Sequence, residues 1–77
     1  MEIKDKVLEI VAEVCETEAS NIKEETSIGD FAGWDSMGHL TILSNVEEAF
    51  DINFEPEEMM DIEDVADIVK AVEEKVG

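Results

Sequence analysis

Residues 33–40 read GWDSMGHL, and they mark the point where an irregular part of the chain gives way to a helix. Residues 17–35, which lead into this stretch, contain Gly, Asp, Asn, Ser and Thr and show no regular spacing of apolar residues, which predicts a long loop. After them, apolar residues recur at spacings of three and four, which predicts a helix from Ser36 to about Phe50. The sequence therefore places one hydroxyl, that of Ser36, at the junction of a loop and a helix.

The predicted helix has two apolar faces. The face expected to pack on the core comprises Ile42, Leu43, Val46 and Phe50. Met37 and Leu40 fall on the other side of the helix. A helix that packs through one side only has no need of a second apolar patch. These two side chains therefore indicate a surface that contacts other molecules.

The rest of the chain predicts further helices around this one. An apolar stripe predicts a helix over residues 2–16. Pro56 suits the first turn of a short helix ending near Met60, and a last stripe predicts a helix over residues 65–76. The long loop needs apolar residues to hold it, and the available ones are Ile22, Ile28, Phe31 and Trp34. We expect an all-α fold, a small bundle of three main helices plus one short helix with a long first loop.

The charge balance restricts the partners. Twenty-two Asp and Glu residues stand against five Lys and Arg, a formal net charge of −17 over 77 residues. Nucleic acid and anionic membranes would repel such a surface, whereas a protein with a basic patch would be attracted to it. One cysteine, Cys15, allows no internal disulfide, and the sequence contains neither a signal-peptide pattern nor a stretch of membrane-spanning length. We expect a single domain over residues 1–77, monomeric and cytoplasmic.

The surroundings of Ser36 argue against a catalytic serine. A hydrolase elbow has Gly two residues before and two after the nucleophile, on a strand-to-helix turn. Here the earlier position is Trp34, and no strand precedes it. The only histidine, His39, lies on the same helix, and we expect that it does not take the proton of Ser36. We expect His39 to be partly buried, with its hydrogen bonds satisfied.

A metal site is also disfavoured. A calcium-binding loop starting at Asp51 would need Gly at its sixth position and Glu at its twelfth, where the chain has Pro56 and Ile62. There is no Cys and His cluster for zinc. The acidic surface leaves only weak, unspecific binding of divalent cations.

Two roles for Ser36 remain open. Asp35 or Ser36 could cap the helix. Ser36 could also be a point of covalent attachment, because the free N–H groups and the dipole at a helix N-terminus favour a phosphate ester. A cap alone does not explain the long loop, the outward Met37 or the acidic surface.

At these residues the sequence resembles the acyl carrier protein family. The family's attachment motif is Asp-Ser-Leu and here reads Asp35-Ser36-Met37, while residues 33–54, GWDSMGHLTILSNVEEAFDINF, are similar to the family's second helix and the segment after it. The likeness covers essentially all 77 residues. It implies that a phosphopantetheinyl transferase adds a 4'-phosphopantetheine arm from coenzyme A to Ser36. The arm would hold acyl or aminoacyl thioesters for fatty acid, polyketide or other specialised biosynthesis, and the chain would be a carrier and not a catalyst.

The resemblance makes the second helix the element that partner enzymes read. On matching positions, the acyl- or aminoacyl-loading and acyl-using enzymes would place basic docking patches against Asp35, Met37, Leu40, Ser44, Glu47 and Glu48. The alternative function is an unmodified acidic helical interaction module or cation-binding protein, in which Ser36 has no special role.

The sequence departs from the family pattern inside the helix. Gly38 and Thr41 stand where fatty acid carriers often have acids, and Trp34 resembles carriers of specialised pathways. We therefore expect a specialised pathway, and we expect Asp at position 38 and Glu at position 41 to improve use by fatty acid enzymes. Gly38 should also weaken the first turn, by roughly 1 kcal/mol relative to Ala.

Overall fold

The computed structural model describes residues 3–76, and within them the chain forms four α-helices and no strand. The helices are α1 Ile3–Cys15, α2 Ser36–Phe50, α3 Pro56–Asp61 and α4 Val65–Val76, and a single 3-10 turn covers Ala19–Asn21. The expected fold class, three main helices plus one short helix with a long first loop, is confirmed. The predicted start of the first helix at residue 2 lies outside the described residues.

Two helices end on residues in the left-handed conformation. Glu16 follows α1 with φ 58° and Asp51 follows α2 with φ 55°. After α1, the N–H of Thr17 donates to the carbonyl of Ala12 at 2.9 Å, and after α2 the N–H of Ile52 donates to that of Glu47 at 3.0 Å. These bonds satisfy carbonyls that the helix ends leave free.

The core lies between the three long helices. Val7 and Val11 of α1 are fully buried, and so is Trp34 of the long loop. The fully buried residues of α2 and α4 are Ile42, Leu43, Val46, Val65, Ile68 and Val72. The core-facing arc predicted for the second helix is therefore confirmed, with Phe50 half-buried at its end.

The long loop is fastened to the N-terminus of α4 by its backbone. The N–H of Val65 donates to the carbonyl of Thr26, and the N–H of Ala66 donates to that of Glu24, both at 3.0 Å. In return, the N–H of Ile28 donates to the carbonyl of Glu63 at 2.9 Å. The loop thus supplies acceptors for N–H groups that a helix start leaves without intrahelical partners.

The apolar residues of the loop do not all anchor it. Ile22 and Trp34 are buried and Phe31 is half-buried, as expected. The prediction for Ile28 is wrong, because this side chain is 39% exposed. Its backbone bond to Glu63 already fixes this part of the loop, so the side chain is not needed in the core.

None of the residues of the short helix α3 is fully buried, although Met59 packs against the core. At the start of α3, the side chain of Glu58 accepts the N–H of Glu55 at 2.9 Å and pairs with Lys75 of α4 at 2.8 Å. Lys75 also lies 5.7 Å from the centroid of the Phe54 ring. The hydrogen bond from Lys75, helped by that from Glu55, holds the pKa of Glu58 below its ordinary value.

Candidate attachment site at the start of α2

Asp35, and not Ser36, caps α2. Asp35 has extended backbone angles (φ −103°, ψ −166°), and its Oδ1 accepts the N–H of Gly38 at 2.8 Å. The carbonyl of Asp35 accepts the N–H of His39 at 2.8 Å, which closes the first turn. Because Asp35 does the capping, the hydroxyl of Ser36 is left for another role.

The hydroxyl of Ser36 is exposed and forms no hydrogen bond to any residue between 3 and 76. The N–H groups of Ser36 and Met37 likewise have no acceptor within that range, as expected for the first residues of a helix. The first turn of α2 contains no acidic residue. A phosphate ester on this hydroxyl would therefore lie beside free N–H donors and the positive end of the helix dipole.

Gly38 is required by close packing of the first turn against the loop. A Cβ built on Gly38 would overlap the carbonyl oxygen of Gly33, and a Cβ on Gly33 would lie 2.7 Å from the carbonyl oxygen of Val14. The loop is thus wedged between the end of α1 and the start of α2. Two sequence expectations are corrected here: Gly38 does not simply weaken the helix, and Asp at position 38 would not fit without displacing Gly33.

His39 joins the loop to α3 through both of its ring nitrogens. The Nε1–H of Trp34 donates to Nδ1 of His39 at 3.0 Å, and Nε2 of His39 lies 3.1 Å from the carbonyl oxygen of Met59. Indole N–H is only a donor, so Nδ1 must accept and Nε2 must carry the proton that it donates to Met59. The expected burial and satisfaction of His39 are confirmed, and neither nitrogen is free to act as a base on Ser36.

A groove of about 410 Å³ opens beside the hydroxyl, and Ser36 and His39 both line it. Its apolar lining includes Ile28, Leu40 and Met60. Met60 is 81% exposed. The sequence pattern did not predict this groove, because its lining comes from the loop, α2 and α3, and only the tertiary fold brings them together.

The predicted contact residues of α2 occupy two kinds of position. Met37 is 78% exposed and Leu40 is 56% exposed. Ser44 and Glu48 are exposed as well. Glu47 differs, because it is half-buried and its Oε2 accepts the N–H of Phe54 at 2.6 Å. This carboxylate has a structural role that the sequence did not reveal.

Other chemistry is sparse among residues 3–76. No group of three or more His, Cys, Asp or Glu is arranged to hold a metal ion, and no helix in that range is long and apolar enough to cross a bilayer. Cys15 is buried, and burial raises the pKa of its thiol. It belongs to the hydrophobic core as a small residue at the end of α1.

Comparison with known proteins agrees with this geometry. A family model described as the phosphopantetheine attachment site matches residues 5–72. The chain is 36% identical over 76 residues to an acyl carrier protein of Prochlorococcus marinus (strain MIT 9515), which covers 99% of this chain and 95% of the relative. The fold is similar to the solution NMR structure of holo acyl carrier protein from Geobacter metallireducens, with a TM-score of 0.84, 26% identity, and coverage of 99% of this chain and 87% of the other.

The chain therefore belongs to the phosphopantetheine attachment-site family. Its role is that of a carrier and not a catalyst, and the group that the family uses is covalent 4'-phosphopantetheine. Membership implies interaction with a phosphopantetheinyl transferase and with acyl-handling enzymes. The exposed hydroxyl and free N–H donors at the start of α2 fit such a phosphate ester.

Proposed function

We propose that Ser36 carries the 4'-phosphopantetheine arm and that residues 1–77 act as a single carrier domain. The observation that supports this most directly is the exposed hydroxyl on the first residue of α2, which forms no hydrogen bond within residues 3–76. During attachment a bond forms between Ser36 Oγ and phosphorus, and the pyrophosphate bond of coenzyme A breaks. Adenosine 3',5'-bisphosphate leaves, and the hydroxyl proton is released. Asp35 holds the first turn in place, while the free N–H donors favour the new phosphate.

The assignment is tested by mass spectrometry after incubation with coenzyme A and a broad-specificity phosphopantetheinyl transferase. The natural chain should gain the mass of one arm, and Ser36→Ala should gain none. The fold should survive, because the side chain of Ser36 is exposed and Asp35 supplies the cap. Ser20→Ala is the matched control, since it removes another exposed hydroxyl away from the proposed docking surface and should leave the mass gain unchanged.

Two results would contradict the assignment. One is an arm on Ser20, Ser27 or Ser44 in place of Ser36. The other is no mass gain in the natural chain, the behaviour expected of an unmodified acidic interaction module or a cation-binding protein.

Partner enzymes are proposed to dock on α2 around Ser36. The exposed apolar side chains of Met37 and Leu40 offer contact area, and Glu48 offers negative charge to a basic patch. Asp35 and Ser44 complete this surface, whereas Glu47 contributes less because Phe54 already uses its carboxylate. We propose that the carrier works as a monomer in the cytoplasm.

The pathway is proposed to be a specialised one that uses acyl or aminoacyl groups, and not housekeeping fatty acid synthesis. The support is the first turn of α2, which lacks acids. Because Gly38 has no room for a side chain, only position 41 can be tested cleanly. Thr41→Glu should improve use by fatty acid enzymes, measured as kcat/KM for the carrier. Ala66→Glu, which adds the same charge at an exposed site on α4, should not.

A direct comparison of carriers tests the pathway proposal. If the unaltered protein serves a fatty acid synthase as well as a dedicated fatty acid carrier does, it is an ordinary fatty acid carrier with an unusual α2.

A further inference from the structure

We infer that His39 determines how long an apolar chain this carrier can shelter, because it closes the floor of the groove beside Ser36. The inference rests on the proposed attachment of the arm to Ser36. It concerns the class of group carried: short acyl groups are sheltered in the groove, and longer ones project into solvent.

The groove is where a group tethered to Ser36 first meets apolar surface, since Ser36 is itself part of its lining. Ile28 is 39% exposed, Leu40 56% and Met60 81%, so the walls are accessible to a ligand. A chain of a few carbons laid against these side chains loses apolar surface to the protein. Each added carbon stabilises the folded state as long as the groove offers contact.

His39 and Ile62 are the two buried residues in the lining of this groove, and they separate it from the core. His39 lines the groove but is only 8% exposed, and its ring lies edge to edge with that of Trp34 along their hydrogen bond, with centroids 6.2 Å apart and an interplanar angle of 17°. Trp34 has no exposed surface. A chain that went deeper would have to displace the imidazole first and the indole next.

The imidazole is held too firmly to move aside at little cost. Its Nδ1 accepts the Trp34 N–H and its Nε2 donates to the Met59 carbonyl, so both nitrogens are engaged. Turning the ring would leave the buried N–H of Trp34 without a partner, which is unfavourable in a low-dielectric core. The bond from His39 Nε2 to the Met59 carbonyl ties α3 to α2, so the gap between these helices cannot widen while that bond persists.

The test is a chain-length series on the whole protein. The transferase is supplied with acetyl-, butanoyl-, hexanoyl-, octanoyl- or dodecanoyl-coenzyme A, and mass spectrometry confirms one acylated arm on Ser36. Thermal melts and amide hydrogen exchange are then measured on each form. The melting temperature should rise with the first few carbons and reach a plateau by octanoyl. Exchange of the amides of Leu43 and Val46 should not depend on chain length.

The variant that opens the floor is Trp34→Phe combined with His39→Ala. The pair is changed together so that no indole N–H is left buried and unpaired. In this variant the rise in melting temperature should continue through dodecanoyl. The matched control is Val11→Ala, which opens a cavity in the core away from the groove lining and should keep the natural plateau.

Each outcome decides the inference. A natural protein whose melting temperature keeps rising to dodecanoyl overturns it without any variant. A plateau that persists in the double variant, or disappears equally in Val11→Ala, removes the role of His39. If the double variant does not fold, the chain-length series and the exchange data on the natural protein still test the inference. A chain that accepts no arm at all is recognised earlier, by mass, and contradicts the proposed function instead.

Discussion

Gly33 and Gly38 set the geometry of the loop–helix junction because neither has a side chain. The carbonyl of Gly33 occupies the space of a Cβ on Gly38, and Gly33 itself lies against the backbone of Val14 and Cys15. The two glycines therefore bring the end of α1, the loop and the start of α2 into backbone contact. This contact places the Asp35 cap, and with it Ser36, at a fixed point on the surface.

Gly38→Ala should destabilise the protein although Ala favours a helix by about 1 kcal/mol over Gly. The added methyl must displace the Gly33 backbone, and overpacking of this kind costs about 1–3 kcal/mol. Urea unfolding followed by circular dichroism measures the change. Ser44→Ala, at an exposed position of the same helix, should be neutral or slightly stabilising. A Gly38→Ala variant more stable than the natural protein would show that the Gly33 backbone yields easily.

The helix α2 has one face buried in the core and another exposed to solvent. Leu43 and Val46 are fully buried in the core, whereas Met37 and Leu40 stand in solvent near Ser36. Burial predicts which face supports folding. Exposure beside the proposed attachment site predicts which face supports docking.

Met37→Ala should slow arm attachment or acyl loading with little change in melting temperature. Leu43→Ala should do the reverse, because truncating a buried Leu costs about 2–5 kcal/mol. Transferase kinetics and thermal melts on the same two variants measure both effects. Equal loss of melting temperature in the two variants would contradict the division between faces.

Electrostatic contacts help to hold the short helix α3, none of whose residues is fully buried. Its Glu58 pairs with Lys75 and accepts the N–H of Glu55. Since these bonds lower the pKa of Glu58 in the folded state, their contribution is present at neutral pH. It is lost as the pH falls through the ordinary titration range of Glu and then through the lowered pKa.

Glu58→Gln should therefore destabilise the protein at neutral pH, and the difference from the natural protein should shrink toward zero in acid. Unfolding free energies measured at a series of pH values give this difference directly. Glu57→Gln, which removes the same charge from an exposed neighbour, is the control for net charge and should not show this pH dependence. A Glu58→Gln penalty that stayed constant down to low pH would mean that ionisation of Glu58 does not stabilise α3.

At the scale of the whole molecule, charge of one sign is concentrated in a small volume. A formal net charge of −17 is carried by a chain whose radius of gyration is 11.0 Å. The screening length in 0.1 M salt is about 10 Å, so at low salt the acidic side chains repel one another across the domain. Exposed ion pairs such as Lys4–Glu24, at 2.8 Å, offset little of this repulsion.

Sodium chloride should raise the melting temperature, and millimolar magnesium chloride should do so at lower concentration. Both screen the repulsion of the folded state without needing a specific site. Thermal melts over a range of each salt measure the effect. A melting temperature that ignored both salts would contradict a self-repelling fold, and tight, saturable calcium binding would contradict the absence of a specific site.

The sequence by itself determined the helices, the buried face of α2 and the place of Ser36, because these follow from local rules. Apolar spacing sets which side of a helix is buried, and Asp before Ser at the end of a loop signals a helix start. The end of α2 at Phe50 was predicted correctly, whereas α1 ends at Cys15, one residue before the predicted end, because Glu16 adopts the left-handed conformation more typical of Gly.

Only the tertiary structure decided the parts that depend on residues meeting across the chain. Ile28 lines the groove instead of the core because its backbone pairs with Glu63, far along the sequence. Glu47 is committed to Phe54, and Gly38 has no room for a side chain because Gly33 packs against it. His39 bridges Trp34 and Met59, a contact that no periodicity encodes. The physical reason is the same in each case: hydrogen bonds and close packing between distant segments depend on three-dimensional placement, which local pattern does not specify.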